Sequence, residues 1–238
     1  MDEFARMKAE DRADVFQETA RTRKINTPII EKDFWVCWAL KRVFLLEGMP
    51  AGLLFKGGTS LSKVFRAIDR FSEDVDLSFD RSGLGYGGES DPAAASSGKK
   101  ARRQLEELQD VCRRAIKEDL LPKLTASFAE SLGEEPGKNW SLQLDPDDET
   151  QECLLFRYPR VQEPTQLEEE EYLMAHVRLE IGARADHWPA QDAVVTPYAA
   201  EVFPHVFEGL TLSGVVPHMQ NRRFLPKRSL RSKDTHGA

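Results

Sequence analysis

The most regular hydrophobic pattern of the chain lies in residues 73–79, which read EDVDLSF. Apolar and polar residues alternate there, with Val75, Leu77 and Phe79 set against Asp74, Asp76 and Ser78. Alternation with a period of two is typical of a strand that buries one face. The pattern therefore predicts a strand that carries two aspartates on the face opposite its apolar side chains.

Helical spacing appears in three segments. Residues 2–23 are polar and helix-forming, and residues 99 to about 124 form a long amphipathic helix. Between them, Thr27-Pro28 supplies an N-cap and a first-turn proline for the apolar stretch IIEKDFWVCWALKRVFLLE. Because that stretch is apolar on most sides, we expect it to be buried against a sheet.

Short strands and turns fill the rest. Leu53-Leu54-Phe55 predicts a strand that Gly57-Gly58 ends, and Thr59 or Ser60 is expected to cap a helix through about residue 67. Residues 153–159 and 176–184 are two further strand candidates, and the sequence after residue 189 is expected to be irregular. The pattern as a whole favours one elaborated α/β or α+β domain over residues 1–215.

Two segments have a biased composition and no hydrophobic periodicity. Residues 82–98 are rich in Gly, Ser and Ala and are expected to form a mobile loop. Residues 168–171 are four consecutive glutamates, which favour a solvated loop or helix start over a specific role.

The net charge of -7, from 33 basic and 40 acidic residues, argues against a protein that coats nucleic acid through a general basic surface. Cys37, Cys112 and Cys153 lack metal-ligand spacing and indicate reduced structural thiols. No stretch approaches the roughly 18 apolar residues of a membrane helix, and the first residues lack an apolar core. These features predict a soluble cytoplasmic protein without membrane contact.

The two aspartates of the predicted strand suggest a metal site. Side chains at i and i+2 on a strand point the same way, about 7 Å apart along the backbone, and can share one cation. Two carboxylates beside a core are costly unless a cation neutralises them, and Mg²⁺ prefers oxygen ligands together with substrate phosphates.

The glycine pair supplies the complementary half of such a site. Without side chains at Gly57 and Gly58, a phosphate can approach the main chain, while the amides and hydroxyls that follow offer hydrogen-bond donors. Lys56 and Lys63 add local positive charge. A Gly-Gly turn or an Asp-x-Asp pair alone is usually structural; the combination, sixteen residues apart, is more specific.

This combination resembles the signature of the polymerase-β-like nucleotidyltransferase superfamily, whose core is a mixed sheet flanked by helices. The stretches EKDFWVCWAL, FKGGTSLSKVFRAIDRFSEDVDLSF and VRLEIGARADHWP resemble the bacterial AbiEii/AbiGii nucleotidyltransferase-like toxin family of abortive-infection (type IV) toxin–antitoxin pairs. The resemblance covers about residues 25–210.

The resemblance implies roles for individual residues. Asp74 and Asp76 would hold the metal that bridges the nucleotide phosphates, and the triphosphate would rest on the turn formed by Gly57, Gly58, Thr59 and Ser60. Glu180 would be the third carboxylate, as metal ligand or base, and Arg178 would steady phosphate charge where the family often has lysine. The alternative for Arg178 and Glu180 is an ordinary ion pair on a half-exposed strand.

The implied reaction transfers a nucleoside monophosphate from an NTP to an acceptor hydroxyl, with Mg²⁺ as cofactor. Family members modify RNA, in some cases tRNA acceptor ends, and a cognate antitoxin neutralises them. His187 and Trp188 are interpreted as packing residues, and Arg70, Ser72 and Glu73 as residues that shape the loop before the aspartate strand.

The last residues depart from the family pattern. Residues 216–238 are strongly basic, lose apolar periodicity and contain Pro226, so we expect a disordered tail and a truncated C-terminal helical portion. A basic tail that grips RNA is the alternative. Truncation would leave exposed apolar surface that favours self-association, and a catalytically impaired relative that only binds nucleotide or a partner is the alternative to an active transferase.

Overall fold

A computed structural model of the chain describes residues 1–63, 74–161, 176–184, 191–207 and 210–215. Its strands are β1 (Leu53–Lys56), β2 (Asp74–Phe79), β3 (Ser141–Leu144), β4 (Cys153–Arg157), β5 (His176–Gly182), β6 (Gln191–Val195) and β7 (Leu210–Val215). Its helices are α1 (Asp2–Ala5), α2 (Ala9–Arg23), α3 (Thr27–Phe44), α4 (Gly57–Lys63), α5 (Gly98–Arg114), α6 (Leu121–Leu132) and α7 (Ala199–Val202).

The seven strands form one mixed sheet in the order β3-β4-β5-β2-β1-β7-β6. β2 lies at its centre, antiparallel to β1 and parallel to β5. This arrangement confirms the predicted α+β fold with a mixed sheet flanked by helices.

The alternation in β2 has the predicted effect on packing. The side chains of Val75, Leu77 and Phe79 are fully buried, whereas Asp74 is exposed. Ser78, on the polar face, differs from expectation because it is also buried, and its hydroxyl donates to the carbonyl of Phe79 at 3.3 Å. The two aspartates therefore occupy the more open end of the strand.

Helix α3 is the core of the molecule, as its apolar sequence predicts. Phe34, Trp35 and Trp38 have no exposed surface, and the helix packs against β5 and β7. Trp38 lies 4.7 Å from Phe128 of α6, ring centroid to centroid, and Phe128 lies 4.6 Å from Phe156 of β4. Large rings in such edge and tilted contacts contribute beyond their buried area.

The long amphipathic helix predicted from residue 99 to about residue 124 is interrupted. α5 continues into a π-helical segment (Ala115–Leu120) before α6, whose first turn contains Pro122. Proline lacks the N–H that an α-helical hydrogen bond needs, and a wider turn accommodates it. The helical run ends at Leu132, beyond the predicted residue 124, where Gly133 adopts a left-handed φ of 70°.

The prediction of irregular structure after residue 189 is wrong. Residues 191–195 and 210–215 form β6 and β7, and β7 joins the sheet in parallel beside β1. β3 at the other edge was also missed. These strands depend on partners distant in sequence, which local patterns do not reveal.

Residues 82–98 form two short 3-10 turns (Gly88–Ser90 and Pro92–Ala94), and Gln104 of α5 donates to the carbonyl of Ser90 at 3.1 Å. The mobility of this loop stays a prediction. The three cysteines are buried and free. No helix within the described ranges combines the length and the apolar composition that a membrane span requires.

Several predictions fall outside the described residues. They concern the loop before β2 (Arg70, Ser72 and Glu73), the glutamate run at 168–171, the His187-Trp188 pair and the basic tail at 216–238.

Candidate active site

The glycine corner, Gly57-Gly58, joins β1 directly to α4. Gly57 has a φ of 76°, a left-handed conformation that L side chains rarely adopt. A Cβ atom on Gly57 would lie 1.7 Å from Oδ2 of Asp76. The missing side chain thus serves both the backbone turn and the close approach of the Asp76 carboxylate.

The corner is shorter than predicted. α4 begins at Gly57 itself, so neither Thr59 nor Ser60 is its N-cap. Both are buried within the helix, where the Thr59 hydroxyl donates to the carbonyl of Asp74 and the Ser60 hydroxyl donates to the carbonyl of Gly57 at 3.0 Å. Thr59 therefore ties the corner to the first residue of β2. The predicted contact of these residues with a triphosphate stays a prediction, and both hydroxyls are already engaged with backbone carbonyls.

The sheet register gathers the acidic residues. In the parallel pairing of β2 and β5, Asp74 is opposite Arg178 and Asp76 is opposite Glu180. Because paired residues point to the same side of a sheet, these four side chains share one face. The sequence predicts that Arg178 and Glu180 share one polar face of their strand. In the structure, this face continues that of the two aspartates on the neighbouring strand.

The carboxylates influence one another electrostatically. Burial raises the pKa of Glu180, the charges of Asp76 and Asp74 raise it further, and Arg178 and Lys56 offset this only in part. Lys56, opposite Asp76 in the antiparallel pairing with β1, places Nζ 3.7 Å from Asp76 Oδ1. The excess of negative charge at this place favours a cation.

A complete metal cage is not formed by the protein alone. Among the described residues, no group of three or more His, Cys, Asp or Glu side chains is arranged to hold a metal ion. Asp74 and Asp76 nevertheless offer the oxygen donors that Mg²⁺ takes when phosphates supply the remaining ligands. The donor set fits a metal that arrives with a nucleotide.

Arg178 is held in place by three neighbours. Its Nε donates to Cys153 Sγ at 3.0 Å and lies 3.5 Å from Glu180 Oε1, and its Nη2 lies 3.4 Å from Asp145 Oδ2. Burial raises the pKa of Cys153 to about 12, so the thiol stays neutral. Asp145 is almost fully buried and was not predicted as a site residue. The Asp-Pro-Asp turn that contains Asp145 gives no sequence signal for a contact with Arg178, 33 positions later. The contact is therefore evident only from the fold.

A cavity of about 280 Å³ adjoins these groups, with Lys56, Arg178 and Glu180 in its wall. Asp148, Thr150 and Glu152 from the turn between β3 and β4 complete its polar side. Asp74, Asp76 and the two glycines are not in its wall, so the cavity borders the carboxylate cluster on the Glu180 side and does not enclose the aspartates.

Lys63 occupies a different environment from the one predicted. Its side chain is 7% exposed and forms an ion pair with Asp33, which is fully buried in α3. Its Nζ also lies 3.7 Å from the ring centroid of Tyr198. Burial lowers the pKa of Lys63, but the charge of Asp33 outweighs this effect and the pKa is raised. A phosphate contact would require Lys63 to leave this pair, and its nucleotide-binding role stays a prediction.

Comparison with known proteins gave one match. The searches of curated proteins and of solved structures found no similar protein. The sequence model of the family described as nucleotidyl transferase AbiEii toxin, type IV TA system, matches residues 38–213, which is well over half of the 238 residues. The match includes the glycine corner, both aspartates, Arg178 and Glu180. The chain therefore belongs to the nucleotidyl transferase AbiEii toxin family of type IV toxin–antitoxin systems.

Proposed function

We propose that the protein transfers a nucleoside monophosphate from an NTP to an acceptor hydroxyl on RNA, with tRNA as the favoured class. The observation that carries this proposal is the meeting of Asp76 with Gly57 on one side and Glu180 on the other. The glycine corner, whose missing side chain lets the Asp76 carboxylate approach, thus lies against acidic side chains that favour a cation.

Each group has a part in this scheme. The amides at the glycine corner and Lys56 bind triphosphate oxygens, and Asp74 and Asp76 hold Mg²⁺. When bound, Mg²⁺ neutralises the charge that develops on the transferred phosphoryl group. Glu180, whose pKa is raised by burial and by its acidic neighbours, accepts the proton of the attacking hydroxyl. Arg178, fixed by Asp145 and Cys153, steadies the negative charge of the leaving pyrophosphate.

The biological role follows from the family. In a type IV pair, uncontrolled modification of RNA by this chain would be toxic, and a cognate antitoxin protein would neutralise it. The acceptor, the antitoxin and the magnesium requirement are all part of the proposal.

The experiment compares wild type with Asp74→Asn, Asp76→Asn and Glu180→Gln. Each variant keeps the shape of the side chain and removes its charge, and Asp14→Asn on the exposed face of α2 is the matched control. Protein is incubated with each α-labelled NTP, Mg²⁺ and total tRNA, and label in RNA is counted. We expect wild type and Asp14→Asn to transfer label, and the three site variants to lose about 10²–10⁴-fold of the rate.

The alternative is a relative that binds nucleotide without transferring it. Metal-dependent NTP binding by wild type without label in any RNA would support it and overturn the transferase proposal. Equal activity of wild type and the three site variants would also overturn the proposal.

A further inference from the structure

A second concave region lies away from the glycine corner. This basic cavity, of about 690 Å³, is formed where the end of β4 meets the turn between α1 and α2 and the end of α6. Its wall contains five cationic side chains and one carboxylate: Arg6, Arg12, Lys138, Arg157, Arg160 and Glu134. With Glu31, which lies behind the wall and faces Arg12 and Arg160, the local excess is three positive charges, in contrast to the net charge of -7 of the whole chain.

The single carboxylate in the wall is already engaged. Both oxygens of Glu134 accept from Nδ2 of Asn139, at 2.7 and 3.0 Å. Within the described part of the chain, Arg6, Lys138 and Arg157 are exposed and form no ion pair, although Nε and Nη2 of Arg6 donate to the carbonyls of Ser131 and Glu130 at 2.7 and 2.9 Å. By contrast, Arg102 and Arg103 on α5 pair with Glu106 and Glu107 one turn away. The basic cavity therefore concentrates cations whose charge is available to a ligand.

The wall of the basic cavity is rigidly held. Arg12 is 5% exposed, and its Nη1 donates to the carbonyls of Ala5 at 3.0 Å and Met7 at 2.7 Å. Its Nη2 donates to the carbonyl of Pro159 at 2.9 Å. One buried guanidinium thus joins the turn between α1 and α2 to the chain that follows β4. The exposed cations stand on a fixed frame.

The basic cavity is also close to the candidate active site. Arg157 is opposite His176 in the pairing of β4 with β5, and His176 lies two residues before Arg178 on the same side of β5. β4 is two strand spacings away from β2, because β5 lies between them. Leu155 of β4 and Asp74 of β2 both pair with Arg178, and Arg157 is two residues further along β4. These steps place the backbones of Arg157 and Asp74 about 12 Å apart.

We propose that the basic cavity binds the phosphate backbone of the RNA acceptor while its hydroxyl end lies at the carboxylates. This inference rests on the proposed function, because it assigns a place to the acceptor of that reaction. Arginine guanidinium groups match phosphate oxygens with paired donors, and Arg157 provides them here, while Lys138 adds a point charge. Arg178 continues the positive charge from the basic cavity towards Glu180.

An acidic segment of a protein partner is the competing occupant. The continuity with the active-site face favours RNA, because a transferase must hold its acceptor within a short reach of the bound nucleotide.

The test measures RNA binding without nucleotide, so that it does not depend on transfer. The double variant Lys138→Gln/Arg157→Gln is compared with wild type and with Arg102→Gln/Arg103→Gln on α5, which removes the same charge elsewhere. Binding of a fluorescein-labelled single-stranded RNA is followed by anisotropy over a range of salt. For the cavity variant we expect about tenfold weaker binding and a log–log salt slope smaller by about 1.4, at about 0.7 per lost cation. The α5 variant should keep the wild-type slope.

Binding of Mg²⁺ and NTP, measured in parallel, should be unchanged in both double variants. RNA affinity that is unaffected by the cavity variant, or lowered equally by both, overturns the proposal. So does a polyglutamate peptide that binds wild type more tightly than the RNA does and loses affinity in the cavity variant. If RNA binding depends on the basic cavity but no label is transferred, the proposed function fails while the assignment of the cavity to RNA remains.

Discussion

At Gly57, the absence of a side chain leaves the space that the Asp76 carboxylate occupies. The left-handed φ of 76° and the 1.7 Å separation calculated for a Cβ are independent reasons for glycine. The first concerns backbone strain and the second concerns overlap with a neighbour. Both act on the residue that joins β1 and α4 beside the acidic side chains.

Gly57→Ala should therefore lower the free energy of unfolding by about 2–5 kcal/mol, with about 1–2 from the left-handed backbone and about 1–3 from overpacking. It should also weaken Mg²⁺-dependent NTP binding, because Asp76 must move. Urea denaturation and nucleotide titration measure the two effects. Gly52→Ala is the control, since its Cβ would meet nothing within 4 Å. Equal stability of the two variants would contradict the prediction.

Glu31 makes stability depend on pH in an uncommon direction. Its side chain is 5% exposed, accepts from the Val161 amide at 2.9 Å, and faces Arg160 and Arg12. Burial is the largest effect and raises the pKa of Glu31 from 4.5 to about 6. Between these values the folded protein holds more protons than the unfolded chain, so Glu31 lowers stability as pH rises through this window.

Glu31→Gln removes this titration and keeps an oxygen acceptor for Val161. We expect the stability of the variant relative to wild type to increase by about 1–2 kcal/mol between about pH 4 and about pH 7. Urea unfolding at several pH values measures it. The same comparison for Glu149→Gln, at an exposed position, should show no such trend. If the difference in unfolding free energy between Glu31→Gln and wild type does not change with pH, the pKa of Glu31 is the same in the folded and unfolded states and the prediction is wrong.

At the scale of elements, a buried ion pair joins α3 to α4. Asp33 and Lys63 pair in the core, and Asp33 also accepts from the Tyr198 amide at 2.6 Å, just before α7. A buried pair of this kind contributes little net stability, but removing one partner leaves a charge without compensation. The pair therefore fixes the position of the helix that begins at the glycine corner.

Asp33→Asn or Lys63→Met alone should cost about 3–5 kcal/mol of unfolding free energy, whereas the double variant should cost clearly less than the sum. A double-mutant cycle by urea denaturation gives the coupling. Additive losses would contradict the prediction. The double variant also tests Lys63 as a phosphate ligand, since a folded protein with unchanged NTP affinity would exclude that role.

Local pattern and long-range contact explain which features were predictable. β2 and α3 were foreseen because their apolar residues follow the period of a single element, and the family motif placed Asp74, Asp76 and Glu180 together. Lys63 looked like a phosphate ligand because its motif is near the glycines, but its partner Asp33 is 30 positions away. The contact of Asp145 with Arg178 and the parallel addition of β7 to β1 likewise arise only from the assembled sheet.

At the scale of the whole molecule, the described residues of this acidic chain place a group of exposed cations at the basic cavity and clustered carboxylates beside the glycine corner. The two regions lie on neighbouring strands of one rigid sheet. A bound nucleotide would therefore meet a site with too much negative charge unless a divalent cation accompanies it. Mg²⁺ and nucleotide together should then raise the free energy of unfolding more than either ligand alone.

We expect Mg²⁺ and a non-hydrolysable NTP analogue together, at about 100 times their dissociation constant, to stabilise the protein by about 2.7 kcal/mol. For a chain of 238 residues, this corresponds to a rise in Tm of about 5–10 °C. The analogue without Mg²⁺, or with EDTA, should give a small rise, because Asp74 and Asp76 then repel the triphosphate. Asp76→Asn should lose most of the Mg²⁺-dependent part, while Asp14→Asn keeps it. Thermal unfolding at fixed ionic strength separates these cases. A rise that is the same with and without the divalent ion would place the nucleotide away from the carboxylates.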